Sequence, residues 1–443
     1  MDEHLRGRTF LVVAVALLAF TGWGWWHEQD VSKSAGRVAL AHRLALHAAE
    51  LRDRDPGTAR DLGLAALEIH ADRLTRAGLT STILAWEQKG LDADGADQVA
   101  VSGDGRLALA TGFDQAQVVI RASGDTRVLG ERKGFVRVSA LSSDGRTALV
   151  AEQGAATTVW DLDDPWHPVR RGTLRGKAAS LALTRDGRTA AVGGAEGTMN
   201  VWDLTDRARP LRRSVTAISG GDTEEVALSA DGRTAVTSND HGPVTIWDLP
   251  DPAHPVKAGE LSPAIHTATA LALSADGRTL VVARLDPGER WKSQAVVWTL
   301  AGPASAASTA PSGDPARPVP VASIEPFDAE ITDVDLSADG RTALVVESEG
   351  GGSLWDLSEP SGPVRLAALP RWPVDPAGGA LSADASIALT AGADGSGVSR
   401  WDLRRLRETA AHAARSLCEH GGRSMTRANW DRYTGGAKPS DYG

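Results

Sequence analysis

Thr157–Leu162 reads TTVWDL, and it decides the fold because it does not stand alone. VWDL returns at Val201–Leu204, IWDL at Ile246–Leu249, VWTL at Val297–Leu300, LWDL at Leu354–Leu357 and RWDL at Arg400–Leu403. A second signal precedes each. Ser-x-Asp-Gly-Arg, or a near variant, places its aspartate at Asp104, Asp144, Asp186, Asp231, Asp276, Asp339 and Asp384, with spacings of 40, 42, 45, 45, 63 and 45 residues. Self-similarity at such a period marks a repeat architecture in which each unit buries its apolar faces only against its neighbours.

One unit is easiest to read in Ala179–Leu204. Ser180–Thr184 is an apolar run, Arg185-Asp186-Gly187 a turn, Thr189–Gly193 a second run, Ala195-Glu196-Gly197 another turn, and Thr198–Leu204 a third run. Glycine supplies the left-handed backbone such turns need. These are three antiparallel strands, a, b and c. Their near-continuous apolar character predicts sheets covered on both faces. A fourth strand, d, is expected at Thr126–Gly130, Val169–Leu174, Leu211–Ile218, Val256–Leu261, Val319–Ile324 and Val364–Leu369. Pro168, Pro210, Pro255 and Pro363 each lie eight residues after the unit's tryptophan, where a strand start needs no ladder donor. In the fifth unit Pro318 lies 20 after Trp298, because Ala301–Ser312 inserts an Ala/Ser/Pro-rich loop.

The seventh d strand is missing after Leu403, where the chain turns helical in pattern. Ile83–Leu91 is the candidate to replace it. Pairing with Ser399–Asp402 would join the two ends of the ring and remove two sheet edges.

Ahead of the repeats, Thr9–Trp26 gives 18 residues without a formal charge. As a helix it rises about 27 Å, against a hydrocarbon core of about 30 Å. Trp23, Trp25 and Trp26 suit a headgroup region, and Arg6 and Arg8 on the other flank favour an N-terminus inside, with the rest extracytoplasmic. A cleaved signal peptide and a buried helix are the alternatives; no clean A-x-A site precedes Gly36. Val31–Arg54, Pro56–His70 and Asp72–Leu84 read as amphipathic helices, with Asp55-Pro56 a cap and first helical position. They form a helical stalk, either a partner-binding coil or a hairpin packed on the repeats. The resulting organisation is residues 1–30 for the tail and single transmembrane helix (about 9–26), 31–82 for the stalk, 83–403 for the repeats and 404–443 for a helical C-terminal tail.

The net charge of −10 is unevenly spread. Residues 91–403 carry 28 basic and 42 acidic groups, a poor match for nucleic acid, which needs a positive footprint. Residues 404–443 carry 8 basic and 4 acidic. The one cysteine, Cys418, allows no intramolecular disulfide and no cysteine-based zinc site. His42 and His47 are five apart and do not share a helical face, so no metal is expected.

These repeats resemble seven-bladed WD-repeat β-propellers of the bacterial type. Six of seven units keep a tryptophan: Trp160, Trp202, Trp247, Trp298, Trp355 and Trp401. The first unit has Ile120 there instead. The resemblance implies a mainly β fold whose tryptophans pack between blades. The Gly-His of many such blades is absent, so its hydrogen-bond network is not carried over. The flanks RDRDPGTARDLGLAALEI and CEHGGRSMTRANWDRY are also similar to that group, but a second cysteine near the end is missing.

No catalytic set is legible. There is no G-x-S-x-G elbow and no Walker-type Lys-Ser/Thr. Glu224-Glu225 are adjacent and point to opposite faces, and the strand-a sequences SLALT, VALSA and LALSA offer no His, Asp or Glu to a central channel. No cofactor is expected. The extra residues Leu285–Ser293 in the fifth unit include Arg290 and Trp291, and Arg371-Trp372 enters the seventh; these are residue types of interface hot spots. The sequence therefore points to a non-catalytic, membrane-anchored scaffold with protein partners. A ligand-sensing propeller is the second reading, and a propeller hydrolase or lyase the third.

Overall fold

The computed structural model describes residues 34–404 apart from residues 52–53 and short stretches between strands, the longest being 301–317. The chain divides into two compact units, one of residues 1–83 with 409–443 and one of residues 84–408. The anticipated membrane helix, the C-terminal tail and Cys418 lie outside the described residues. Among the described residues no helix is long and apolar enough to cross a membrane.

The first unit is helical. Helices span residues 34–51, Pro56–Ile69 and Arg73–Leu84. Asp55 caps the second by accepting from Thr58 N at 3.1 Å, with Pro56 in the first turn where no donor is lost. Leu40, Leu44, Ala45, Ala48, Leu62, Ala65 and Ala66 form its core. The helices approach closely at glycine: a Cβ on Gly78 would sit 2.8 Å from the Ala45 Cβ. His42 Nε2 lies 2.5 Å from Asp72 Oδ2, and the His42 and His70 rings meet edge to face at 6.4 Å.

The second unit is a mainly β propeller. Its strands form seven four-stranded antiparallel sheets, six of them ordered a-b-c-d along the chain. Their inner strands, in chain order, are Ala96–Val101, Val136–Leu141, Ala178–Leu183, Thr223–Leu228, Ala268–Leu273, Ile331–Leu336 and Pro376–Leu381. Each contacts the next, and the last contacts the first. The sheet containing Pro376–Leu381 takes its outer strand from the other end of the propeller segment: Lys89, Gly90 and Leu91 pair with Arg400, Ser399 and Val398. This corrects the expected closure strand of Ile83–Leu91. Ile83 and Leu84 finish the third helix, and only Lys89–Leu91 is extended. Other limits shift too: the first d strand is Asp125–Val128, the third and fourth end a residue early at Ala217 and Glu260, and the fifth runs longer, Val319–Phe327.

The repeated Ser-x-Asp-Gly-Arg is a self-contained turn. In the second sheet Ser142 Oγ donates to Asp144 Oδ1 at 2.6 Å, that oxygen accepts from Arg146 N, and Ser142 Oγ accepts from Thr147 N at 2.9 Å. The same set recurs at Ser229/Asp231, Ser274/Asp276 and Ser337/Asp339. The glycine sits left-handed, as at Gly187 with φ 64. In the seventh turn Ala385 takes that place at φ 51. From turn to turn a single backbone hydrogen bond passes around the ring. Gly103 N donates to Ser143 O, Asp144 N to Arg185 O, Arg185 N to Ala230 O, Ala230 N to Ala275 O, Ala275 N to Ala338 O, Ala338 N to Ala383 O, and Ala383 N back to Gly103 O.

Between sheets the apolar faces meet in separate clusters. Trp202 packs with Leu149 and Val159 of the preceding sheet, and Trp247 with Met199 and Val201. All six repeat tryptophans are buried. Several place the indole N–H on a neighbouring hydroxyl, as Trp247 Nε1 on Thr237 Oγ1 at 2.9 Å and Trp355 Nε1 on Ser353 Oγ at 2.8 Å.

The turn geometry gives opposite outcomes for two reciprocal changes. Ala385→Gly relieves a left-handed residue at a small cost in unfolded-state entropy, so it stabilises by about 0.5 kcal/mol. Gly187→Ala adds left-handed strain and a Cβ 2.4 Å from Thr147 Oγ1, so it destabilises by about 2–3 kcal/mol. Urea unfolding monitored by tryptophan fluorescence checks both; equal signs would refute this reading of the turn.

The central channel as candidate functional site

The inner strand of each sheet is an edge, so its outward ladder groups face the channel without a partner strand. At several junctions side chains of the preceding sheet satisfy them. Ser180 Oγ accepts from Val226 N at 2.9 Å. In the same register, three sheets on, Asp333 Oδ2 accepts from Gly379 N at 2.8 Å. Asp335 Oδ2 accepts from Leu381 N at 2.7 Å. Gln98 Nε2 donates to Arg137 O at 2.8 Å. Gly379 leaves no room for a side chain at this junction, since its Cβ would lie 2.6 Å from Val346 Cγ2.

The channel holds a cavity of about 770 Å³. Its wall is a ring of one apolar residue from the end of each inner strand, Val101 on the first through to Leu381 on the last. Asp335 opens into it, and Asp104, Asp144 and Asp384 from the turns also line it. Two further carboxylates, Glu225 and Asp333, lie on inner strands in the register position that Ser180 occupies in its own sheet.

Burial governs these acids. It pushes Glu225 up to about 8, with the negative charge of Asp333 adding to it, the Ser180 hydroxyl opposing it and Glu224 adding a little more. It pushes Asp333 up to about 7, against the Gly379 N–H donor and with help from the charge of Asp335. It pushes Asp335 up to about 6, against the Leu381 and Leu336 N–H donors. Asp97 on the first inner strand is also raised by burial. The charge of Asp333 thus reaches Glu225 across the one sheet between theirs.

The reading that strand a offers the channel no acids is therefore corrected. SLALT, VALSA and LALSA describe three strands well, but ITDVDL (Ile331–Leu336) carries two acids at alternate positions, the second where every sister strand carries alanine. That contrast within the repeat was the available signal. Glu225 does point away from Glu224: a register shift falls between Thr223 and Glu225, leaving Glu224 exposed. Among the described residues no group of three or more His, Cys, Asp or Glu is arranged to hold a metal ion. The other nominated site residues, Arg290, Trp291, Arg371 and Trp372, lie outside the described residues. The structure brings the six repeat tryptophans into the intersheet layers, away from the channel wall.

No protein-family model matches the chain. Among curated proteins, the NAD(+) hydrolase ApTIR of an Actinoplanes species is 38% identical over 85 residues, which is 18% of this chain and 12% of that protein. The chain thus spans only a small part of that relative's length. Among solved structures, a chain of the mitotic checkpoint complex superposes with a TM-score of 0.55 at 16% identity, covering 72% of this chain and 91% of that one. The β-propeller domain of Myceliophteria thermophila Cps50 (Swd1) does so with a TM-score of 0.55 at 17% identity, covering 71% and 99%. At such identities the likeness concerns the fold, which is that of a WD-repeat-like β-propeller.

The raised carboxylates fix the sign of a pH effect. A group whose pKa is higher folded than unfolded contributes stability that is complete below its ordinary value and is lost as pH rises through its folded value. For Glu225 that window runs from about 4.5 to about 8. The melting temperature falls as pH is raised from 5 to 9, and Glu225→Gln removes a large part of that fall. Asp335→Asn keeps an oxygen for Leu381 N, whereas Asp335→Ala leaves that donor unpaired and costs about 1–3 kcal/mol. Thermal melts across the pH range check all three; a wild-type curve that rises with pH overturns the assignment.

Proposed function

We propose that this chain is a non-catalytic, seven-bladed WD-repeat scaffold of bacterial type, held to the cell membrane by its N-terminal helix and presenting its propeller outside the cytoplasm to protein partners. The observation that carries the reading is the closed ring of sheets, hydrogen-bonded once around. It holds loop ends and outer strands as a rigid display surface rather than wrapping a single deep cleft. The superposition on a propeller from a structure of the mitotic checkpoint complex supports it, as does the depletion of basic residues that would serve nucleic acid. The fifth- and seventh-blade loops bearing Arg290, Trp291, Arg371 and Trp372 are the nominated partner surface, on the strength of their residue types.

A second reading, a ligand-sensing propeller signalling through a partner, is favoured by one observation: the 770 Å³ channel cavity with Asp335 in its wall and Glu225 and Asp333 on inner strands. A hydrolase or lyase reading is weaker. Asp333 and Asp335 are committed to capping the neighbouring inner strand. The activity of the Actinoplanes relative is not carried across a match to 12% of its length.

In-cell cross-linking and affinity capture of the intact chain, compared with the Trp291→Ala/Trp372→Ala variant, tests the partner surface. Loss of specific partners with unchanged expression is expected, and an identical partner set removes these loops from the proposal. Protease added to intact cells should digest the propeller; protection until the membrane is permeabilised places it on the other side.

A further inference from the structure

The outer strands of the propeller differ in a way the repeat does not require. Each of five begins with an apolar residue: Val169, Leu211, Val256, Val319 and Val364. A β-bulge follows, so one residue is left out of the ladder: Arg171, Arg213, Ala258, Val321 and Leu366, respectively. In the second and third sheets that residue and the one before it are both arginine. The bulged arginines are spent internally. Arg171 donates to Asp161 at 3.0 Å, and Arg213 to Asp203. The arginines before them, Arg170 and Arg212, are exposed, and among the described residues neither is in an ion pair, although Arg212 lies 5.9 Å over the Trp202 ring.

The two edges form one surface. Gly172 of the second edge lies against the turn leading into the third, where a Cβ would meet Arg207 O at 2.5 Å and Pro210 Cδ at 2.8 Å. Arg207 reaches back across this junction to Asp161 at 2.9 Å. Arg175 and Arg209 add exposed cations on either side, again without an ion pair among the described residues. The local acids are already engaged: Asp161 and Asp203 as above, Asp164 by the His167 ring at 2.8 Å, and Asp206 by Ala208 N at 3.0 Å. Between the cations stand Leu211 and Val215, 52% and 53% exposed.

Charge on an edge strand protects it from unwanted pairing. That role needs little, and the other edges show how little: Lys257 is paired with Glu260 on its own strand, and the fifth edge has Pro320. The basic excess is also local. Residues 161–217 carry ten Lys or Arg and seven Asp or Glu, whereas residues 219–262 carry two and eight. A cation-rich strand edge with exposed apolar side chains and unpaired ladder groups matches one kind of occupant. We propose that the outer edges of the second and third sheets, with Arg170, Arg175, Arg209, Arg212, Leu211 and Val215, dock an extended acidic segment of a partner protein. Its backbone adds to the Leu211–Ala217 edge, its carboxylates meet the arginines and its alternate apolar side chains cover Leu211 and Val215. Nucleic acid fits less well, because the patch is interrupted by apolar residues and adjoins the acidic fourth sheet.

This deepens the scaffold reading by giving a partner its chemistry. The test is direct binding to the full-length chain in detergent, using a fluorescein-labelled (Glu-Val)4 peptide and a (Lys-Val)4 control read by anisotropy. The acidic peptide should bind, weaken as salt is raised from about 50 to about 500 mM, and lose on the order of tenfold in affinity with Arg170→Glu/Arg209→Glu. Lys257→Glu on the fourth edge should bind as the parent does. Comparable binding of the basic peptide, or double-variant affinity within about twofold of the parent, overturns the proposal. So does tighter binding of a DNA oligonucleotide or of anionic vesicles through the same arginines. A chain that binds the peptide yet captures no protein in cells keeps the surface and loses the scaffold role; the converse result keeps the role and loses the surface.

Discussion

The innermost strand of a propeller sheet has a ladder edge with no strand beside it, and it lies where bulk water is scarce. Each N–H left unpaired there costs about 1–3 kcal/mol. This chain meets the constraint sideways. Ser180 reaches the Val226 N–H, Asp333 the Gly379 N–H and Asp335 the Leu381 N–H, each on the following sheet. One turn below, backbone amides repeat the gesture from Gly103 around to Ala383 and back. The hydrogen bonds that satisfy the inner edges are therefore also the ones that tie sheet to sheet. At these junctions, closing the ring and satisfying the inner edge use the same hydrogen bonds.

On the perimeter the constraint is different, because water is available and the problem is holding the outer strand in register. Here the aspartate of the VWDL stretch acts. Asp161 accepts from Arg171 of its own outer strand and from Arg207 of the next sheet's turn, tying two sheets at one carboxylate. The tryptophan before it fills the layer behind. Where the first sheet replaces that tryptophan with Ile120, the cluster shared with the seventh sheet is built from Ala96, Ala108, Ala110, Ala380 and Ala391 among a few larger aliphatics. Closure there rests on Lys89–Leu91 pairing with Val398–Arg400.

The sequence is legible to the extent that local chemistry decides the local structure. The Ser-x-Asp-Gly-Arg turns hydrogen-bond within themselves, so their strands could be placed from composition alone. The prolines before Val169, Leu211, Val256 and Val364 mark strand starts because they lack a donor. The closing strand lies in the neighbourhood the pattern predicts but starts later, since Ile83 and Leu84 satisfy a helical period as readily as a strand. The channel acids were not legible in any single strand. Asp333 and Asp335 alternate as solvent-facing residues do, and only ring closure turns that face toward a confined space. The loops carrying Trp291 and Trp372 have residue types to argue from but no repeat partner to compare.

Within one chain, equivalent positions around the ring separate fold from individuality. The register places Gln98, Val138, Ser180, Glu225, Ala270, Asp333 and Gly378 at one equivalent inner position, the first paired residue after the register shift in each inner strand. The backbone there is the same in every sheet, so the side chain is not dictated by the fold. By contrast, the turn aspartate occurs in all seven units and the VWDL tryptophan in six. Positions that hold constant around the ring report what a blade requires. Positions that vary, such as the channel-facing acids and the paired arginines of two neighbouring edges, are not dictated by the blade. Four acids, Asp97, Glu225, Asp333 and Asp335, stand on inner strands while the surplus cations stand outward on one flank, a separation that neither burial nor strand pairing demands.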